Sequence, residues 1–141
     1  MLDIAVVQPG ELARIASFYQ AAGYGGGVSA ADVTFAACMD GRLSGVVRLC
    51  DEHGVIVLRG MQVAPEFQRQ GIDRALLAHC IPWLDRGAAW CLPYDHLTGL
   101  YGEAGFEPAP PDALPAFLSE RLAGYLASGQ RVLAMRRSAP A

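Results

Sequence analysis

The stretch Leu58-Arg59-Gly60-Met61-Gln62-Val63-Ala64-Pro65-Glu66-Phe67-Gln68-Arg69-Gln70-Gly71-Ile72-Asp73-Arg74-Ala75-Leu76-Leu77 decides how this chain is read. Its apolar beginning suits a strand that ends before Pro65, and apolar residues return at Ile72, Leu76, Cys80 and Trp83, the spacing of one helical face. A strand, a turn and a helix start therefore stand in series. The first turn of a helix leaves backbone N–H groups unpaired and carries partial positive charge, so it can grip a phosphate without any cationic side chain. Gly71 would let that phosphate approach the backbone. From these residues alone, an ordinary strand-to-helix turn would look the same.

Working outward, residues 2–7 read as a short strand, and Leu12, Ile15, Phe18, Tyr19 and Ala22 fall at helical spacing. The segment Gly23-Tyr24-Gly25-Gly26-Gly27 is a loop, because ordering so many glycines in a helix or strand costs too much backbone freedom. Strands are expected at 33–39, 43–50 and 55–63, joined by Asp40-Gly41 and by the turn cluster Asp51-Glu52-His53-Gly54, which makes an antiparallel meander. The helix that follows is expected to use Gly87 as its C-cap. After it come a strand at 88–92, a short helix around Leu97, Leu100, Tyr101 and Ala104 ended by Gly105, and a strand start at Phe106. Pro108 to Pro111 break the chain, Leu114, Phe117, Leu118, Leu122, Tyr125 and Leu126 repeat at helical spacing, and 130–135 reads as the last strand. The order β-α-β-β-β-α-β-α-β-α-β describes an α/β layered unit with a mixed sheet, expected to be a single domain over residues 1–141.

Two motifs make the reading more specific. Val63-x-Pro65-x-x-Gln68-x-x-Gly71-Ile72, followed by Leu76-Leu77, resembles the pyrophosphate-binding motif of the GNAT superfamily of N-acetyltransferases, Q/R-x-x-G-x-G/A. Downstream, Leu100-Tyr101-Gly102-Glu103-Ala104-Gly105-Phe106 resembles that family's second signature, a helix tyrosine before a Gly-Phe pair. The element order also resembles the family's, so the likeness extends over the whole chain. It implies a single-layer, mixed, mostly antiparallel twisted sheet flanked by helices.

The resemblance further implies acetyl-CoA or another acyl-CoA as cofactor, laid where two parallel strands splay apart. The backbone of Met61 and Val63 would pair with the pantetheine arm, and Gln68, Arg69, Gln70, Gly71, Ile72, Asp73 and Arg74 would hold the pyrophosphate through their helix-start N–H groups. A primary amine of a small molecule or peptide would attack the thioester, and the tetrahedral oxyanion would collapse to expel the thiolate. Tyr101 would be the catalytic acid, since a tyrosine of ordinary pKa near 10 is protonated at neutral pH. In such proteins the acceptor is gripped by the loop after the first helix, here 23–28 with Tyr24 as its large side chain, and by the segment before the last strand. Arg59, odd on an apolar strand, would bind a substrate carboxylate or pair with an acidic neighbour. Glu52, His53, Arg48, His96 and Tyr94 are further polar residues near the expected cleft, and none is singled out as a base.

The chain departs from the motif at its last position, where Asp73 replaces Gly or Ala. An acid suits the first turn of a helix but repels a pyrophosphate, so weak cofactor binding is expected, with Arg69 and Arg74 offsetting part of the repulsion. Asp73 is also the feature that favours the alternative of a catalytically weak or inactive acyl-CoA-binding or interaction module.

Composition narrows the field. The net charge of −3 and pI of about 5.5 provide no field for nucleic acid or an anionic membrane. No apolar run approaches the roughly 18 residues of a membrane span, and no leader pattern opens the chain, so a cytoplasmic protein is expected. Cys38, Cys50, Cys80 and Cys91 are scattered through apolar segments and do not group with His53, His79 or His96, which suits buried reduced thiols rather than a metal site. A homodimer built on the apolar C-terminal helix and last strand is left open.

Overall fold

The computed structural model describes residues 1–140. The strands are β1 (Leu2–Val6), β2 (Val33–Met39), β3 (Arg42–Glu52), β4 (Val55–Val63), β5 (Ala89–Cys91), β6 (Glu107–Pro108) and β7 (Met135–Arg137), and the α-helices are α1 (Leu12–Ala21), α2 (Ile72–Leu84), α3 (Thr98–Glu103) and α4 (Ala116–Ala127). They alternate in the expected order. The strands form one sheet, β1-β2-β3-β4-β5-β7-β6, in which only the β4–β5 pair is parallel.

Period-2 alternation on β3 and β4 sends side chains to two different helical layers. Val47, Leu49 and Leu58 pack with Ile72, Leu76 and Cys80 of α2 and with Tyr101 of α3. Val57 and Trp90 face the other way, onto Leu118 and Leu122 of α4, while Val46 meets Ile15 and Tyr19 of α1. Helices α2 and α3 thus cover one face, and α1 and α4 the opposite one. Leu76 and Leu118 are completely buried, and each contributes roughly 1.5–3 kcal/mol by leaving water. At Gly45 on β3 a Cβ would lie 3.0 Å from Ile72 Cγ2 and 3.1 Å from Leu76 Cδ1, so the missing side chain is what lets α2 settle this close to the sheet.

Several boundaries differ from the sequence-based expectation: Asp51 and Glu52, expected in the turn, pair with Ile56 and Val55 and extend β3, and β6 starts at Glu107 and not at Phe106. Helix α2 ends at Leu84 with Asp85 as C-cap, short of Gly87. Pro82 lies in its last turn, where its missing N–H removes one bond, back to the Ala78 carbonyl, and the ladder resumes with the Asp85 N–H on the Ile81 carbonyl at 2.9 Å. The last strand is not 130–135 but Met135–Arg137. The apolar run Val132-Leu133-Ala134 makes one isolated bridge, Val132 to Tyr94, before regular pairing with β5 starts at Met135 opposite Cys91. Pro93 follows β5 and has no N–H to return to Leu133, so one rung of the ladder is missing there, although the Leu133 N–H still donates to the Pro93 carbonyl at 3.1 Å.

Candidate active site

Strands β4 and β5 are paired only from Ile56 to Leu58, opposite Ala89 to Cys91. Beyond Leu58, β4 continues to Val63 without a strand on that side. Here β4 also bulges. Arg59 pairs with Arg48 and Gln62 with Val46, so Gly60 and Met61 together oppose the single residue Val47. A bulge bends its strand and sharpens the twist, and Gly60 accommodates it at φ +69°. Tyr19 of α1 holds the bulge in place, its hydroxyl donating to the Gly60 carbonyl at 2.8 Å. The parted strands open onto a cavity of about 760 Å³ whose lining includes Tyr24, Arg59, Met61, Tyr101, Arg121 and Tyr125. Tyr101 comes from the α2/α3 side of the sheet and Arg121 from the α1/α4 side, so the opening passes between the strands from one face to the other.

Tyr101 sits at this opening, 4% exposed, with its ring edge-on to Phe106 at 6.1 Å. Burial pushes its phenol pKa well above the ordinary 10, and Cys91, Asp73 and Cys80 add to the shift. Its hydroxyl therefore keeps its proton at any physiological pH.

At the start of α2, Arg69 (φ +65°) and Gly71 (φ +78°) both adopt left-handed backbone. The N–H groups of Arg69, Gln70, Gly71, Ile72 and Asp73 have no backbone acceptor among the described residues. The N–H of Arg74 is taken by Asp73 Oδ1 at 2.8 Å, so one expected donor is already engaged. The Arg74 side chain forks onto Glu103 at 2.9 and 3.0 Å. Gln68 Nε2 donates to the Val63 carbonyl at 3.2 Å and Gln70 Nε2 to the Glu66 carbonyl at 3.4 Å, so both side chains brace the turn. Met61 lines the cavity, whereas Val63 and residues 68–74 lie outside its lining.

On the opposite face the glycine-rich loop is moored at one point. The Tyr24 hydroxyl accepts from Arg48 Nη2 at 3.2 Å, and its ring packs against Tyr19 at 4.7 Å, tilted by 49°. Arg48 is itself buried and paired with Asp32 at 2.9 Å. Arg59 lies 3.6 Å from Glu52, and Glu52 accepts both terminal nitrogens of Arg121 at 2.6 and 3.1 Å. The Arg121 fork holds the Glu52 carboxyl below its ordinary pKa although partial burial opposes the shift. His53 is exposed and packs on Phe117 at 4.4 Å with the rings tilted, and His96 is exposed beside Tyr94. The cavity lining contains no Asp, Glu or His.

Residues 30–108 match a protein-family model described as an acetyltransferase (GNAT) domain. The chain belongs to the GNAT acetyltransferase family. Among solved structures of this fold, N-acetylglutamate synthase from Neisseria gonorrhoeae, complexed with coenzyme A and N-acetyl-glutamate, is similar at 20% identity with a TM-score of 0.70. The match covers all of this chain and 36% of the synthase. The ribosomal-protein-S18-alanine N-acetyltransferase from Escherichia coli matches at 19% identity and TM-score 0.70, over 100% of this chain and 96% of that one. A GNAT acetyltransferase from Streptococcus pneumoniae matches at 13% identity and TM-score 0.74, over 99% and 100%. At such identities the likeness is one of fold. No protein of curated function matches the sequence.

Within this GNAT fold, the motif residues were visible in sequence and Arg121 was not. Its signal was available: Phe117, Arg121 and Tyr125 recur every four residues on α4, which puts a cation between two aromatics on one face. Tyr19 was read only as part of an apolar helix face, because no local pattern announces a hydrogen bond to a strand 41 residues away.

Proposed function

We propose that the protein moves an acetyl or related acyl group from acyl-CoA to a primary amine of a small molecule or peptide. The observation that carries this reading is the buried, protonated Tyr101 hydroxyl at the gap between β4 and β5. The residues present fit an acyl-CoA: five N–H groups, from Arg69 to Asp73, lack backbone acceptors at a helix start, and β4 beyond Leu58 offers an edge with no neighbouring strand. In this assignment 69–73 receive the diphosphate, the backbone of Met61 and Val63 receives the pantetheine arm, and Gln68 and Gln70 keep the turn in shape. Bound acyl-CoA supplies an acyl group activated as a thioester.

The chain's own residues then divide the work. Tyr101 holds a proton at Oη, ready for a leaving thiolate. The glycine-rich loop, fixed by Tyr24 on Arg48, forms one wall of the acceptor side. Arg59 and Arg121 make that side electropositive, which disfavours an ammonium and favours the neutral, nucleophilic amine. With no carboxylate or imidazole in the lining, proton removal from the amine falls to water. The four cysteines are free thiols, which supports a reducing, cytoplasmic setting.

The test is calorimetric titration with acetyl-CoA, followed by thiol-release assays across an amine panel, with native protein beside Tyr101→Phe. Binding in both proteins, with turnover only in the native one, is the expected result. Binding without turnover of any amine would return the reading to an inert acyl-CoA-binding module.

A further inference from the structure

We infer that the acceptor amine also carries a carboxylate, as an amino acid does, and that Arg59 and Arg121 receive it on the α1/α4 face of the cleft. This rests on the function proposed above and names the substrate class of the same site.

The first ground is position. Arg59 pairs with Arg48 in the register that puts Cys50 opposite Val57, so by alternation its side chain shares the face of Val57, against α4. The free N–H groups of 69–73 and Tyr101 belong to the α2/α3 face. An anion held by Arg59 and Arg121 is therefore on the other side of the sheet from the diphosphate.

The second ground is charge. The lining holds two arginines and no acidic residue. Glu52 lies beneath them as the carboxylate they share, taking both terminal nitrogens of Arg121 and standing 3.6 Å from Arg59. Two cations over one anion leave a surplus of one positive charge, which matches a carboxylate better than a phosphate dianion. The Arg59 side chain makes no hydrogen bond among the described residues, so its donors are available although it is only 29% exposed. Arg121 is already fixed by Glu52 and by the Phe117 ring, 5.7 Å from its guanidinium carbon. With one hydrogen of each terminal nitrogen on Glu52, Arg121 keeps three further N–H donors, and donors fixed in advance lose little freedom on meeting a carboxylate.

The third ground is reach. Arg59 is the first residue after the paired segment ends at Leu58, so the anion subsite borders the point where the strands part. An acceptor whose carboxylate is held there keeps its amine near that opening, and an amine with no anionic group does not use the subsite.

The experiment compares partners differing only in charge. Thiol release from acetyl-CoA is measured with the common amino acids, their carboxamides, and phosphoethanolamine. In parallel, N-acetylglycine and N-acetylglycinamide are titrated into the CoA-containing protein by calorimetry. We expect the carboxylate of each pair to be preferred by about tenfold to a hundredfold, the range of a hydrogen bond to a charged group. In Arg59→Gln, which leaves the Glu52–Arg121 fork in place, that preference should fall below threefold, and Arg59→Lys should restore part of it. Arg121→Gln, with folding checked by thermal melt, should lose it as well. Equal handling of acid and amide by the native protein, absence of binding for both, or preference for phosphoethanolamine would overturn the inference. Turnover of amines regardless of charge would leave the acyltransferase reading intact while removing this one. A carboxylate preference in binding, with no turnover of any amine, would do the reverse.

Discussion

Replacing Asp73 by Asn separates two roles that one side chain plays at the head of α2. The amide oxygen can still accept the Arg74 N–H, which Asp73 Oδ1 now holds at 2.8 Å, but the negative charge is gone. A phosphate charge about 5 Å away, at an effective dielectric of 20 to 80, is repelled by roughly 1–3 kcal/mol. CoA should therefore bind the variant about five- to a hundredfold more tightly. The free protein should change in the opposite direction, losing the roughly 0.3–1 kcal/mol that an acid contributes in a first helical turn. Asp73→Ala also frees the Arg74 N–H, so its affinity should rise at least as far. The assay is calorimetry with CoA at low and high salt, beside pantetheine, which has no diphosphate. The gain should shrink as salt screens the charge and should be absent for pantetheine. An unchanged CoA affinity in Asp73→Asn, or an equal gain for pantetheine, would refute the placement of the diphosphate at 69–73.

Four further expectations follow from the geometry. Tyr101→Phe should lower kcat by about a hundredfold or more, the usual range for a lost proton donor, with acetyl-CoA affinity within threefold of native by calorimetry. Gly60→Ala places a Cβ 2.5 Å from Tyr19 Oη at φ +69° and should cost about 1–3 kcal/mol, readable in denaturant unfolding, with a milder loss in Tyr19→Phe. Arg48→Met strands the Asp32 carboxylate, whose side chain is only 12% exposed, at a cost of about 3–5 kcal/mol; Asp32→Asn in the same chain should recover part of it. The Glu52 carboxyl has a lowered pKa in the folded protein, so its contribution is present above the unfolded value and lost as pH falls through the folded one. Melts from neutral to acid pH should show a steeper loss in native protein than in Arg121→Gln, and parallel curves would contradict the fork.

Much of the sheet was legible because the meander carries its own local signals. The runs at 33–39 and 55–63 coincide with β2 and β4, and Asp40 and Gly41 turn at φ +50° and +83° as a tight hairpin needs. The last strand was misplaced because Val132-Leu133-Ala134 is as apolar as a strand, while pairing depends on how far β5 reaches, and β5 stops short of Pro93. Gly87 looked like a helix end, but α2 closes at Asp85, whose N–H bonds the Ile81 carbonyl, and Arg86 already turns back onto Trp83. In the candidate site, Gln68, Gly71 and Tyr101 were readable because their spacing along the chain is itself the signal. Arg121 and Glu52 are 69 residues apart, and only the packing of α4 across the sheet brings them together. The bulge at Gly60 was equally hidden, since it is defined by the register of β3 and not by the residues of β4 alone.

The gap between β4 and β5 has a kinetic consequence. With the opening running through the sheet, the proposed placement of acyl donor and acceptor on opposite faces gives each its own doorway, and neither must leave for the other to enter. Initial-rate plots at several fixed concentrations of each substrate should then give intersecting lines, the mark of a ternary complex, where a shared doorway would impose alternation and parallel lines. The three-residue pairing of Ile56 to Leu58 with Ala89 to Cys91 closes one end of that opening, so the single parallel ladder of the sheet sets where the two routes meet.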